Sequence, residues 1–253
     1  MEIIPAILPK NYEDLKNKVS LVKGLVSTVQ IDICDGNFVK TVSWPFSSRV
    51  ESRDNLELDQ YAQDILSERE GMPFWEEVDY ELDLMVSNAH ENFELFLKLG
   101  AKRLIFHLEA ETLPINTDEK RIDPDKLQEF KEFLEGIDLY IRDNTQIGIA
   151  INTSTSILNL KSLISNIDFV QCMGIEKIGY QGQPFDERVI DQVKALRKEY
   201  PELIISVDGG VSFDTAPRLI EACANRLVVG SVIFNSLDIR ETVLALRSLA
   251  RPA

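Results

Sequence analysis

Cysteine is scarce in these 253 residues. Cys34, Cys172 and Cys223 are odd in number, far apart, and none sits in a CxxC pair. That argues against a disulfide framework or a cysteine-rich zinc site and makes a reduced cytoplasm the expected compartment. Long apolar runs are missing too: none approaches the ~18–20 residues of a membrane span. The start, "MEIIPAILPK", has no basic segment of the kind that opens a signal peptide. Positive charge is in short supply, with 27 Lys and Arg against 42 Asp and Glu and a formal net charge of −15. This argues against nucleic acid or an anionic membrane surface as a partner. An anionic ligand would have to be held by local dipoles and a few cations. No GxGxxG loop follows the first apolar run, which weakens the case for a doubly wound dinucleotide-binding sheet.

What is present is alternation. The strand candidates are "EIIPAIL" (2–8), "STVQIDI" (27–33), "YELDLMV" (80–86), "KRLIFHL" (102–108), "QIGIAI" (146–151), "IDFVQCM" (167–173), "LIISVD" (203–208) and "RLVVGS" (226–231). Several are continuous Val/Ile/Leu runs, as parallel strands covered on both faces require. Between them, stretches such as "YEDLKNKVSLVKGL", "PDKLQEFKEFLEGI", "SILNLKSLI" and "ERVIDQVKALRKEY" repeat apolar residues at helical spacing. Asp123–Pro124 reads as a helix start and Gly136 as its end. Eight strands with interleaved helices in this length predict an α/β fold, a (β/α)8 TIM barrel forming a single domain over 1–253. Residues 41–79 make an unusually long crossover between strands two and three, with "LELDQYAQDILSERE" as its helix. It reads equally as a lid or interface, or as a decorated surface loop. Trp44, Phe46, Phe74 and Trp75 lie in it, with packing the simplest role.

A barrel carries its chemistry where the strands end at the top face. Those ends supply Ala6 and Leu8, Gln30, Asp32 and Asp35, Asp83 and Met85, His107 and Glu109, Met173 and Glu176, Asp208, and Gly230 with Ser231. Asp32, Asp83 and Asp208 each interrupt an apolar strand ("IDI", "LDL", "VDG"). A buried carboxylate is costly unless paired, hydrogen-bonded or bound to a metal. One such residue alone reads as readily as a structural salt bridge; three facing one lumen point to a site. A second constellation is glycine: "GYQGQPF" (179–185, with Gly182), Gly209 and Gly210, then Gly230 and Ser231. Backbone N–H groups from consecutive loops can converge on one phosphate. Carboxylates together with a phosphate cradle suggest a phosphorylated sugar.

In order and spacing, "PAIL", "QIDICDGNFV", "LDLMV", "FHLEA", "MGIEKIGYQGQPF", "SVDGGVS" and "VVGSVIF" resemble the ribulose-phosphate 3-epimerases over nearly the whole chain. The resemblance implies a (β/α)8 barrel, a pentose 5-phosphate substrate (D-ribulose 5-phosphate and D-xylulose 5-phosphate, or a close relative) and epimerisation at C3 through an enediolate. It implies that Asp32 and Asp208 are the proton-transfer pair and that the chain forms a homo-oligomer. It also implies a divalent metal held by two histidines and the two aspartates. Here the pattern departs, because Gln30 and Asp83 stand at the histidine positions. Ala6 replaces a serine, Cys34 a methionine, Lys40 and Lys177 prolines, and Gln181 a glycine. The chain has two histidines: His107 matches a family histidine that is not a ligand, and His90 reads as a surface residue. The remaining set, Gln30, Asp32, Asp83 and Asp208, offers oxygen and suits Mg²⁺ or Mn²⁺ better than Zn²⁺, unless no metal is bound. Leu8, Lys40, Met85, Met173, Glu176 and Lys177 are expected to line the substrate pocket; Lys40 or Lys177 could stand in as a positive charge, although solvent-facing loop lysines are the simpler reading. Two other functions stay open: a different phosphosugar reaction on the same barrel, and a non-catalytic phosphosugar-binding relative.

Overall fold

A computed structural model describes residues 1–49, 57–113, 122–180 and 182–249. Eight strands lie where the apolar runs place them: β1 Glu2–Ile7, β2 Thr28–Cys34, β3 Asp79–Met85, β4 Arg103–His107, β5 Gln146–Ile151, β6 Phe169–Met173, β7 Ile204–Asp208 and β8 Arg226–Val229. All pair in parallel, in sequence order, and β8 returns to β1 to close the barrel. The chain is thus a TIM barrel, an α/β fold. Its helices are α1 Tyr12–Val22, α2 Gln60–Leu66, α3 Phe93–Lys98, α4 Leu108–Thr112, α5 Pro124–Gly136, α6 Leu139–Asn144, α7 Arg188–Glu199, α8 Ala216–Glu221, α9 Ser231–Phe234 and α10 Ile239–Leu249. Asn11 caps α1 by accepting from the Asp14 N–H at 2.9 Å. Asp123 caps α5 ahead of Pro124, as its sequence signal indicates.

Alternation along the strands separates two surfaces. Val29, Ile31 and Ile33 of β2, Leu82 and Leu84 of β3, Leu104 and Phe106 of β4, and their counterparts around the sheet pack outward into one large core under the helices. Their neighbours Gln30, Asp32, Asp83, His107 and Gln171 fall on the other face, inside the barrel. The lumen is therefore polar at several levels. At the strand starts this polarity is matched by opposite charge: Arg103 reaches Glu81 at 2.7 Å and Glu2 at 3.3 Å, and Arg226 meets Glu2 at 3.3 Å. The opposite end carries carboxylates with few cationic partners. A buried pair at the bottom serves the fold, and unmatched carboxylates at the top mark the site.

Two expectations are corrected, and the helix of the long crossover is present but shorter than its sequence suggests. "SILNLKSLI" forms two 3-10 turns, Ile157–Leu160 and Ile164–Asn166, instead of one helix. Its serines and asparagines compete for backbone hydrogen bonds, and Ser156 already accepts from the Leu158 N–H at 3.3 Å. The long crossover contributes a short helix, α2, and its first part is bound to the barrel. Ser43 Oγ donates to the Asp32 carbonyl at 2.7 Å and accepts from the Cys34 N–H at 2.9 Å. Trp44 and Phe46 are buried in the core, while Trp75 is exposed. Residues 50–56 of that crossover lie outside the described residues. His90 is no surface residue: its side chain is only 12% exposed and pairs with buried Glu111, between the rings of Phe130 and Phe133 at 5.9 and 5.4 Å. Helical spacing alone did not show that α5 covers this side.

Candidate active site

Strands β2, β3 and β7 bring Asp32, Asp83 and Asp208 together, with one carboxylate oxygen from each within 4.8 Å of the others. The β2–β3 register sets Asp32 opposite Asp83, and β6–β7 pairing sets Asp208 opposite Met173. Gln30, one pleat below Asp32, ties two of the three together. Its Nε2 donates to Asp32 Oδ1 at 2.8 Å and to Asp208 Oδ2 at 2.8 Å. Asp83 Oδ1 instead meets His107 Nε2 at 3.1 Å and accepts from Gln171 Nε2 at 3.3 Å. Gln30 Oε1 and Asp83 Oδ2 are buried without a protein partner.

The electrostatics follow from this crowding. Burial, then the charges of Asp208 and Asp83, push the Asp32 carboxyl well above the usual carboxylate range, against the Gln30 bond. Burial and Asp83 push Asp208 up to about 7, opposed by Gln30 and by His107. For His107, burial is the largest single influence and disfavours the charged ring, but the charge and hydrogen bond of Asp83, with Glu109 and Asp208, together make the net shift upward. Burial raises the Cys34 thiol strongly, helped by Asp32 and Asp83, so it is no ready nucleophile.

One pocket is lined by both Asp32 and Asp208, by Met85 and Met173, and by Gly182, Gly209, Gly210, Gly230 and Ser231. The sequence-level candidates for proton transfer and phosphate binding thus meet in one cavity. Gly209 and Gly210 have φ of +100° and +66°, and a Cβ would lie 2.8 Å from Ile175 or 2.9 Å from Phe185. No other residue fits this turn without strain. Ala6, Ile175, Gly179, Tyr180, Gln183, Val211 and Val228 complete the wall; most are apolar or loop residues with no chemical signal in the sequence.

Other candidates fall elsewhere. Leu8 packs with Cys34, Val39 and Met85 but is not among the residues lining the pocket. Lys40, Glu176 and Lys177 are exposed and do not line it either. The loop after β6 turns Ile175 and Ile178 inward, leaving the intervening Glu176 and Lys177 to solvent. Gln181 lies outside the described residues. Asp35 is a brace: it accepts from the N–H groups of Asn37 and Phe38 at 2.8 and 3.0 Å and of Ser87 at 2.9 Å, joining the β2 and β3 loops. Phe38 in turn packs on the His107 ring at 5.5 Å.

The three carboxylates could hold a metal ion, and their oxygens are the donors a hard cation takes. The imidazole-bearing centre that the resemblance implies does not fit these residues. His107 is hydrogen-bonded to Asp83 and does not join the converging set, and His90 lies beside α5. Gln30 turns N–H, with no lone pair to offer, toward Asp32 and Asp208.

Known proteins resemble this chain along its length. It is 26% identical to the ribulose-phosphate 3-epimerase of Bacillus subtilis (strain 168) over 98% of both chains. It is likewise 26% identical to the cytoplasmic ribulose-phosphate 3-epimerase isoform of Oryza sativa, over 97% of this chain and 92% of that one. Among solved structures, the 3-hexulose-6-phosphate synthase of Salmonella typhimurium superposes with a TM-score of 0.63 at 14% identity, covering 99% and 98% of the two chains. KGPDC of Streptococcus mutans, solved in complex with D-R5P, gives 0.64 at 13% identity, covering 98% and 96%. At such identities the structures establish the shared barrel. The ribulose-phosphate 3-epimerase family model matches residues 2–234, from β1 through α9 and across every residue of the pocket. The chain belongs to the ribulose-phosphate 3-epimerase family.

Proposed function

We propose that this protein is an isomerase that inverts C3 of a phosphorylated ketose, D-ribulose 5-phosphate and D-xylulose 5-phosphate or a close relative. The carrying observation is that the two raised carboxylates, Asp32 and Asp208, line the same pocket as the glycine loops after β6, β7 and β8. Inversion next to a carbonyl requires a base on one face of the carbon and an acid on the other. Two carboxylates this close do not both ionise near neutral pH, so the pair holds a shared proton: one member is a carboxylate and the other a carboxylic acid. The carboxylate removes the C3 proton. The electrons move into the C2 carbonyl, giving an enediolate, and the acid delivers its proton to the opposite face. The pair then ends with its roles exchanged, which serves the reverse reaction equally. Met85 and Met173 give the sugar chain an apolar wall that keeps water from the carbanionic carbon. Gly209, Gly210, Gly230 and Ser231 supply the small, N–H-rich turns that suit a phosphate.

The test is deuterium exchange. In D₂O, ribulose 5-phosphate should acquire deuterium at C3 in the presence of the protein. Asp32→Asn should slow this by roughly 10²–10⁴, the usual contribution of a positioned acid or base. Exchange with no pentose or hexose phosphate would sink the assignment.

A further inference from the structure

A cation shared by two carboxylates needs lone pairs converging on it. What converges on Asp32 and Asp208 here is an N–H₂ group. Gln30 Nε2 sits 2.8 Å from an oxygen of each. A primary amide nitrogen carries two hydrogens, so it can serve both carboxylates at once. Both lengths are those of good charge-assisted hydrogen bonds. The amide's acceptor, Oε1, is buried on the side away from the pair. Turning the amide over would surrender both bonds and set a lone pair against two acidic groups. The third carboxylate, Asp83, is already engaged at Oδ1 by His107 and Gln171.

We propose that Gln30 is a built-in bridge that replaces a metal: a positioning residue whose amide holds Asp32 and Asp208 in fixed relation, so that this site works without a bound cation. The inference rests on reading those two aspartates as the proton-transfer pair. Gln30 is fully buried between β1 and β3, opposite Ala6 on one side and Glu81 on the other. Its backbone is fixed by two ladders, and its side chain has little freedom to leave the carboxylates. A metal bridge would need its ligands deprotonated and would exchange with solvent ions. An amide bridge is covalently part of the strand and insensitive to chelators. The observation that pulls the other way is Asp83 Oδ2, a buried carboxylate oxygen without a protein partner.

The experiment uses the whole chain, dialysed against EDTA and then exposed in turn to Mg²⁺, Mn²⁺ and Zn²⁺. Bound metal is read by elemental analysis after desalting, and by the spin-resonance signal of free Mn²⁺ during titration. Wild type should retain no stoichiometric ion. Gln30→Glu keeps the side-chain length but replaces the N–H₂ with an oxygen donor, and should gain one Mn²⁺ per chain. Gln30→His, with an imidazole lone pair, is the second variant should the first fold poorly. C3 exchange by wild type should be the same with and without EDTA. Gln30→Met, which has no donor, should lower kcat about tenfold or more with KM little changed, because misplaced reacting groups cost rate before binding.

The proposal is overturned by one tightly held ion per chain in the wild type, or by exchange that EDTA abolishes and metal restores. It is equally overturned by full kcat in Gln30→Met, or by folded Gln30→Glu and Gln30→His that both stay metal-free. If no phosphoketose exchanges, the proposed activity fails, while the metal titrations still decide the bridge.

Discussion

Asp208→Asn should make the protein inactive and more stable at once. Asp208 sits within 4.8 Å of two other carboxylates, and its pKa is raised from the ordinary 3.8 to about 7, first by burial and then by Asp83. An acid whose folded pKa exceeds its unfolded one binds its proton more tightly in the native state. Stability is then unaffected below about pH 3.8 and falls as pH climbs to about 7, beyond which the loss is complete. At ~1.4 kcal/mol per pH unit this amounts to about 4 kcal/mol. Asp208 keeps some solvent access at the pocket wall, which reduces the figure to roughly 2–4 kcal/mol. Asparagine removes the charge and keeps an oxygen to accept from Gln30. Urea unfolding of wild type and variant, at pH 4.5 and pH 8 with EDTA throughout, is the assay. The variant should be the more stable at pH 8, by roughly 2–4 kcal/mol, and the gap should narrow strongly at pH 4.5. A variant no more stable than wild type at pH 8, or a gap independent of pH, would refute the account of a charge-crowded site.

Three further outcomes can be checked. Gly210→Ala places a Cβ 2.9 Å from Phe185 at φ +66°; it should cost ~1–3 kcal/mol and weaken protection by inorganic phosphate in thermal melts, and unchanged protection would remove Gly210 from the phosphate cradle. Below about pH 6.5, Glu111→Ala strands His90 among Phe130 and Phe133 and should cost about 3–5 kcal/mol; a melting temperature equal to wild type at that pH would contradict this. Burial is the largest single influence on His90 and disfavours its charge, but the hydrogen bond and charge of Glu111, with Glu91 and Glu129, together raise its pKa. The pair's contribution should thus be full below about 6.5 and fade as pH rises through the higher folded value, so Glu111→Ala and wild type should converge on the alkaline side. Burial also raises Glu111 itself, which makes the pair a costly one to leave half-made.

Much of this was legible beforehand because it depends on local pattern. Strands covered on both faces are rich in Val, Ile and Leu, so each of the eight announced itself, and Asp32, Asp83 and Asp208 stood out as charges inside such runs. The glycine turns were visible because φ near +66° to +100° leaves few alternatives to glycine. Lys40, Glu176 and Lys177 were less readable. A loop residue's neighbours in sequence do not say which way it turns, and here Ile175 and Ile178 took the inward positions. His90 was misread for a similar reason, since its burial depends on α5, more than thirty positions away.

The barrel, the family resemblance and the three carboxylates can be read from the chain alone, because strand periodicity and strand-end chemistry are written locally. The role of Gln30 is set by long-range geometry instead. Its two partners come from its own strand and from β7, 178 positions further on, and an amide has a donor end and an acceptor end. Which end faces the carboxylates is settled by the closed barrel that surrounds it, and that choice separates a metal ligand from a bridge.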